Sequence, residues 1–267
     1  MKFIFDEFKE GMAIAFAAIR ANKMRSVLTM LGIIIGIVSV TLMGTAIEGL
    51  NRAFNKSISS IGADVLYVQK WPWGGGGDWW KYRNRRDIKI DQSNAIERQA
   101  QTVRAMTPII GATRPAQYGR KVVDDITVLG TNSNMLETNG ANLAFGRYFT
   151  SAEADGGRPV CVIGSEIASN LFPNENPIGK SIKVGNYQFR VVGVLEKQGS
   201  FLGLESMDNR VYVPINRFFE EFLSFRGGIS IMVRAASINN MDETKEEVRG
   251  IMRKARGLKP KQEDDFA

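Results

Sequence analysis

The sequence predicts an α+β fold entered from a single membrane helix, and three observations carry this reading. A run of 21 residues, Val27 to Ile47, holds no charged side chain. Beyond it, short Val- and Ile-rich segments mix with short helical patterns, without the regular strand–helix–strand repeat of a parallel sheet. Last, "MDETKEEVRGIMRKARG" (Met241 to Gly257) closes the folded part as a charged amphipathic helix.

The apolar run comes first because its length decides its setting. A bilayer core asks for roughly 20 apolar residues of helix, and this run meets that length between Arg25 and Glu48. It is too long, and starts too far from Met1, for the apolar part of a cleaved signal peptide. Arg20, Lys23 and Arg25 precede it, whereas Glu48 and Asn51 follow with only Arg52 nearby. The excess of positive charge before the span puts the N-terminus in the cytoplasm and everything after Leu50 across the membrane. Upstream, Phe5, Phe8, Met12, Phe16 and Ile19 recur at helical spacing, with Lys9 and Arg20 on the flanks. Such a helix suits the headgroup layer or the surface of another protein, and the pattern does not choose between them. Within the span, Gly32 and Gly36 form a G-x-x-x-G pair and Gly44 continues the same face. Small residues there let a second helix approach closely in lipid, so these three mark an expected helix-packing face.

Beyond the membrane, "ADVLYVQK" (Ala63 to Lys70) reads as a strand. Residues 71–80 then hold all four tryptophans among four glycines, a loop expected to meet the membrane surface or a partner. "DQSNAIERQA" reads as a helix capped by Asp91. Strands follow in "VVDDITVLGT", "RPVCVIG", "KSIKVGN", "YQFRVVGVLEK", "NRVYVPI" and "ISIMVRA", with short helices around Met135 and in "SEIASNLF".

Composition narrows the chemistry. With 267 residues, 44% hydrophobic and 24% charged, the chain can form one or two folded domains. It holds no histidine, which excludes His-dependent triads and His-ligated metals. A lone Cys161, inside an apolar strand pattern, excludes an intrachain disulfide and any multi-cysteine cluster. No catalytic residue, cofactor or metal site is expected. The net charge of +7 peaks in "KYRNRRDIK" (Lys81 to Lys89), which lacks any recognition-helix or RNA-binding signature. It is read as a solvated loop or a lipid-headgroup contact, and no nucleic-acid partner is expected. "NENPIGKSIKV" ends like a phosphate-binding loop, but Asn174 stands where the early glycine is needed and Pro177 removes an amide. Pro177 and Gly179 shape a turn instead, Lys180 is exposed at its edge, and Gly185-Asn186 closes the hairpin after it.

A family resemblance rests on residues already quoted. "RANKMRSVLTMLGIIIGI" resembles the first membrane helix of the MacB-like permeases of ATP-binding-cassette transporters, within the FtsX/MacB superfamily. The stretch from "FGRYF" to "VVGVLEKQGS" resembles their extracytoplasmic core domain: Arg147, Phe149, Gly164, Leu171, Phe172, Pro177, Gly179 and Val191 to Val194 stand at the family's recurring places. "DNRVYVPI" is similar to the strand that returns from the inserted subdomain.

This resemblance implies a cytoplasmic amphipathic helix over 1–25, a membrane helix over 26–50 and a Porter-like α+β subdomain from 51–138 and 208–257. A mainly-β Sabre-like subdomain over 139–207 is inserted, and 258–267 is a linker toward further membrane helices. It implies a non-catalytic permease in the bacterial inner membrane, its main domain extracytoplasmic, that carries ATP-driven motion across the bilayer for export or signalling. The partners implied are a cytoplasmic ABC ATPase subunit in a separate chain, a second permease copy and the lipid bilayer, with room for a periplasmic adaptor or an outer-membrane partner. With one span the chain is expected to act as part of a larger permease, from one gene or a split one. The alternative is a membrane-anchored binding or adaptor domain with no transport role.

Overall fold

The computed structural model describes residues 2–61, 64–72, 79–201, 205–222 and 228–267; the side chains of 2–6, 8, 53–61, 79, 201 and 205 are not described. The chain divides into two compact units, up to Asn55 and from Lys56 to Ala267.

The first unit is helical. Helix α1 (Lys2–Ala21) and helix α2 (Lys23–Ile61) meet at Asn22, so the break falls three residues before the boundary expected at 25/26. Backbone bonds pass across that break, from Asn22 N–H to Ala18 O and from Ser26 N–H to Asn22 O. At 1.5 Å per residue the uncharged run of α2 spans about 31 Å, the thickness of a hydrocarbon core. Thr29 and Thr41 return their hydroxyls to the carbonyls of Arg25 and Ile37, so these polar groups are satisfied inside the helix. The helix continues past the expected end at Leu50 to Ile61.

The second unit is built on one large sheet. Its elements, in chain order, are β1 (Val65–Val68), α3 (Trp79–Arg83), α4 (Ile90–Gln99), β2 (Val103–Tyr118), β3 (Lys121–Thr131), α5 (Met135–Asn139), β4 (Leu143–Gly146), α6 (Ser151–Asp155) and β5 (Val160–Ile163). There follow α7 (Ser165–Leu171), β6 (Ser181–Val184), β7 (Tyr187–Leu195), β8 (Ser200–Phe201), β9 (Glu205–Ser206), β10 (Arg210–Pro214), α8 (Ile215–Glu221), β11 (Ser230–Ala235) and α9 (Met241–Ala255). The strand order is β1-β11-β2-β3-β10-β5-β7-β4, with β6 bridging β2 and β7. That bridge closes a ring: β2, β3, β10, β5, β7 and β6 pair in turn and return to β2. The ring takes strands from both sides of residues 139–207. Its buried apolar side chains include Ala116, Ile126, Cys161, Ile182, Phe189 and Val211.

The other end of β2 pairs with β11 and, through it, β1, forming a three-stranded antiparallel end of the sheet. Helices α4 and α9 cover one face there: Ile96, Val248, Ile251 and Met252 share a core with Val68, Ile231 and Val233. Met135 of α5 joins Met232, Leu129 and Tyr212 in a second core. Glu247 of α9 clamps the start of β2, accepting from the backbone N–H of Gln101 at 2.8 Å and of Thr102 at 2.9 Å.

Strand β2 was not among the expected strands; it carries Pro108, Gly111 and Pro115, residues that weaken a strand locally. Pro108 stands where β2 has β11 as its partner, before the ladder to β3 begins at Ile110. Pro115 falls in the bulge between Arg114 and Ala116. Helix α4 also differs from the expectation. Its cap is Lys89, and Asp91 lies in its first turn, because the Gln92 side chain takes the Lys89 N–H at 3.2 Å.

Candidate functional site

Two regions bear on function: the long apolar helix α2 with its flanks, and the folded body that follows. Gly32, Gly36 and Gly44 lie exposed on α2, and a Cβ at any of them would meet nothing within 4 Å. Around them Leu28, Leu31, Ile35 and Val40 are likewise exposed, so the face offers apolar bulk beside backbone-deep notches. Arg20, Lys23 and Arg25 sit together at the junction of α1 and α2. Of the α1 stripe, Met12, Phe16 and Ile19 are all more than half exposed; the side chains of Phe5 and Phe8 lie outside the described residues. Lys23–Arg52 is, among the described residues, the one helix long and apolar enough to cross a membrane.

In the second unit, the motif residues meet where backbones cross. Gly164 ends β5 and donates its N–H to Arg210 O at 2.8 Å. A Cβ on it would stand 2.1 Å from Asp208 O, so only glycine lets the two backbones come this close. Gly193 on β7 is as restricted, its Cβ position lying 2.3 Å from Arg147 O. Arg147 in turn donates its N–H to Val192 O and holds Glu153 through two bonds of 2.7 and 2.8 Å. Glu153 completes a capping box with Thr150 on α6. The Arg147 guanidinium, aided by Thr150, lowers the Glu153 carboxyl to about 2. Phe149, Leu171 and Phe172 are buried, Phe172 with its ring 4.3 Å from that of Tyr118. These residues build the body; none of them presents a reactive group.

At the Gly179 turn the backbone amides are engaged within the fold. The Gly179 N–H donates to Val191 O and that of Lys180 to Pro177 O. Lys180 pairs with Glu175 at 3.3 Å in the open. Cys161 is enclosed, and burial pushes its thiol far up, which leaves it inert.

The basic cluster is more than a solvated loop. Lys81 and Arg83 lie on the short helix α3, Lys70 pairs with Asp87 at 2.9 Å, and Arg85 stacks 4.6 Å over the Tyr82 ring. Trp71 and Trp80 are about half exposed, while residues 73–78, including Trp73, lie outside the described residues.

Residues 258–267, expected as a linker toward further membrane helices, pack on the body. The Arg256 side chain has no exposed surface. Its guanidinium donates to Asp265 at 2.5 and 2.9 Å, to Gln92 at 3.0 Å and to the carbonyl of Arg86 at 2.8 Å. Arg86 closes on Asp265 at 3.0 Å, and Asp264 takes Arg249 at 2.6 Å and Arg253. Burial pulls both carboxyls upward, and the arginine hydrogen bonds outweigh it and hold them below the usual range. Phe266 is buried, and Ala267 and Gln69 exchange both backbone bonds at 2.8 Å. This lock was not read from the sequence. The signal was present in "DDF" following an Arg-rich helix end, but the spacing alone does not say which arginines fold back.

The sequence model of the MacB-like periplasmic core domain matches residues 26–251. The chain belongs to this family. Among curated relatives, a macrolide export ATP-binding/permease protein MacB of Syntrophobacter fumaroxidans is 31% identical over 204 residues, covering 76% of this chain and 28% of the relative. A pyoverdine export ATP-binding/permease protein PvdT of Pseudomonas aeruginosa is 28% identical over 248 residues, covering 92% and 36%. The chain thus spans about a third of the length of these relatives. Its fold is similar to that of the periplasmic region of MacB from Actinobacillus actinomycetemcomitans, with a TM-score of 0.65 at 21% identity over 79% of this chain and 90% of that one. The extracellular domain of the ABC-type transporter YknZ from Gram-positive bacteria is also similar, with a TM-score of 0.58 at 21% identity over 73% and 96%. The MacB-like expectation for family and fold is therefore met.

Proposed function

We propose that this chain is the N-terminal part of a permease subunit of a MacB-like ABC transporter. It couples ATP hydrolysis in a separate cytoplasmic ATPase chain to conformational change outside the membrane, for export or signalling. The observation that carries this reading is the family match running from the membrane helix through the extracytoplasmic body, residues 26–251. In this reading Arg20, Lys23 and Arg25 hold the N-terminus on the cytoplasmic side of the inner membrane. Residues 51–138 with 208–257 form a Porter-like part, 139–207 a Sabre-like part, and 258–267 lead toward further membrane helices. A second permease copy completes the assembly, and Gly32, Gly36 and Gly44 face a neighbouring membrane helix.

The reading has a chemical logic. A body whose backbones interlock at Gly164 and Gly193 suits a part that moves as a unit. Topology is its first test: Ser200→Cys in intact cells, treated with an impermeant thiol reagent, is expected to label, with the enclosed Cys161 silent. Protection at Ser200→Cys, with labelling at Lys9→Cys, would reverse the orientation and remove the basis for coupling to a cytoplasmic ATPase. Correct topology without any ATPase subunit co-purifying would favour the anchored adaptor reading instead.

A further inference from the structure

Where β6 and β7 pair, alternation divides their side chains between two faces. Ile182 and Phe189 are buried in the ring, and Ser181, Lys183, Gln188 and Arg190 are exposed on its outside. Ser181 stands opposite Arg190, and Lys183 opposite Gln188. On the other side of β7, the buried Val160 of β5 lies beside Arg190 and, with Pro159, lines a cleft of about 410 Å³. The remaining lining residues are Glu153, Arg158, Ser181, Gln188 and Arg190. Arg158 is anchored next to α6, its backbone N–H donating to Glu153 O at 3.0 Å.

The charges of this cleft do not balance. Among its described lining residues Glu153 is the one carboxylate, and Arg147 already holds it through two bonds. That leaves Arg158 and Arg190, with Lys183 one step along the sheet. No carboxylate among the described residues pairs with any of these three. Elsewhere on the body arginines are matched: Arg104 by Glu137, Arg234 by Asp64 and Arg249 by Asp264. Cations gathered on one outward face without a counter-charge repel one another, and an arriving anion relieves that repulsion.

We propose that this cleft docks an extended acidic segment of a partner protein. Arg158, Arg190 and Lys183 take its carboxylates, and Ser181 and Gln188 bond its neutral polar groups. Spacing suits an extended occupant. Arg190 and Lys183 are diagonal neighbours across an antiparallel pair, about 7–8 Å apart, and alternate residues of an extended segment are about 7 Å apart. An exposed arginine holds a single free anion only weakly, so several carboxylates must arrive on one chain, where each contact makes the next intramolecular. The planar guanidinium fork adds direction, because it takes a carboxylate through two parallel bonds. That the partner is met outside the membrane rests on the topology proposed above; the binding itself does not.

The test uses the purified full chain in detergent and a fluorescein-labelled peptide of alternating glutamate and serine, followed by fluorescence anisotropy at low salt. A glutamine–serine peptide controls for contacts without charge, and inorganic phosphate for small anions. Arg158→Ala/Arg190→Ala is expected to weaken the acidic peptide at least about tenfold, since the bonds lost are charge-assisted. Arg120→Ala/Lys261→Ala removes the same charge from exposed positions elsewhere and is expected to change affinity less than about twofold. Lys183→Glu, on the adjoining strand, is expected to weaken binding about tenfold as well, and it decides the matter if the double variant folds poorly. An equal loss in both double variants would reduce the effect to net charge and overturn the site. Phosphate or the glutamine peptide binding as tightly as the acidic peptide would overturn the acidic segment as its occupant. None of these measurements needs a membrane side or an ATPase, so failure of the cleft leaves the permease reading standing, and a reversed topology leaves the cleft.

Discussion

Replacing Asp265 with asparagine keeps the shape of the side chain and removes the charge that Arg256 requires. Arg256 has no exposed side-chain surface, and among the described residues Asp265 supplies its carboxylate, through bonds of 2.5 and 2.9 Å. The remaining acceptors, Gln92 and the carbonyls of Arg86 and Asp87, are neutral. Removing one partner of an enclosed ion pair costs about 3–5 kcal/mol, because the other charge stays out of water. For a domain of 150–250 residues each kcal/mol lowers Tm by about 2–4 °C, so Asp265→Asn is expected to lower it by about 6–20 °C. The assay is thermal unfolding of the purified chain followed by circular dichroism, with Asp242→Asn on the exposed first turn of α9 as the control. That control belongs with surface substitutions, within about 0.5 kcal/mol. pH adds a second readout. The Asp265 carboxyl is held below its usual value, so its contribution is complete above the unfolded-state value near 4 and is lost as pH falls below it. Asp265→Asn is therefore expected to converge with the parent at low pH. A Tm within about 2 °C of the parent at neutral pH would refute the lock.

Three further predictions follow from other contacts. Gly164→Ala places a Cβ 2.1 Å from Asp208 O and is expected to cost about 1–3 kcal/mol or more in denaturant unfolding; Gly250→Ala, with nothing within 4 Å, is expected to stabilise α9 by about 0.5–1 kcal/mol. A loss no greater at Gly164 than at Gly250 would contradict the backbone crossing. Glu153→Gln removes the carboxylate that Arg147 holds at about 2, so the parent is expected to lose stability relative to this variant as pH falls from about 4.5 to 2; parallel pH profiles would speak against the Arg147–Glu153 clasp. Gly36→Leu puts bulk on the notched face of α2 and is expected to reduce co-purification with the other transporter subunits severalfold, with the thermal transition of the Lys56–Ala267 body unchanged. Normal assembly would place the packing face elsewhere.

What could be read from the sequence depended on how local the cause was. The span of α2 was legible because a charge-free run of that length has few other uses, and the hairpin at Gly185-Asn186 because two residues suffice to specify it: Val184 pairs with Tyr187 across it. Short buried strands such as Val160–Ile163 announced themselves by continuous apolar character. β2 stayed hidden because Pro108 and Pro115 count against a strand locally, while the bulge and the neighbour pattern that tolerate them are set by β3 and β11. The lock at Arg256 was hidden for a similar reason. It joins Arg86 and Gln92 to Asp265, more than 170 residues apart in the chain, and nothing local marks such a meeting. In the candidate membrane face, spacing alone picked out Gly32, Gly36 and Gly44, because helical periodicity is a local property.

The central claim is that ATP used in the cytoplasm moves the body outside. Arg120, exposed at the tip of the β2–β3 hairpin, offers a reporter position. With Arg120→Cys spin-labelled in the full transporter, reconstituted in liposomes with its ATPase chain, the distance distribution between the two permease copies can be measured by pulsed electron resonance. The account predicts a distribution that shifts between the nucleotide-free and ATP-trapped states and returns after hydrolysis. An identical distribution in every nucleotide state, with the ATPase active, would contradict it.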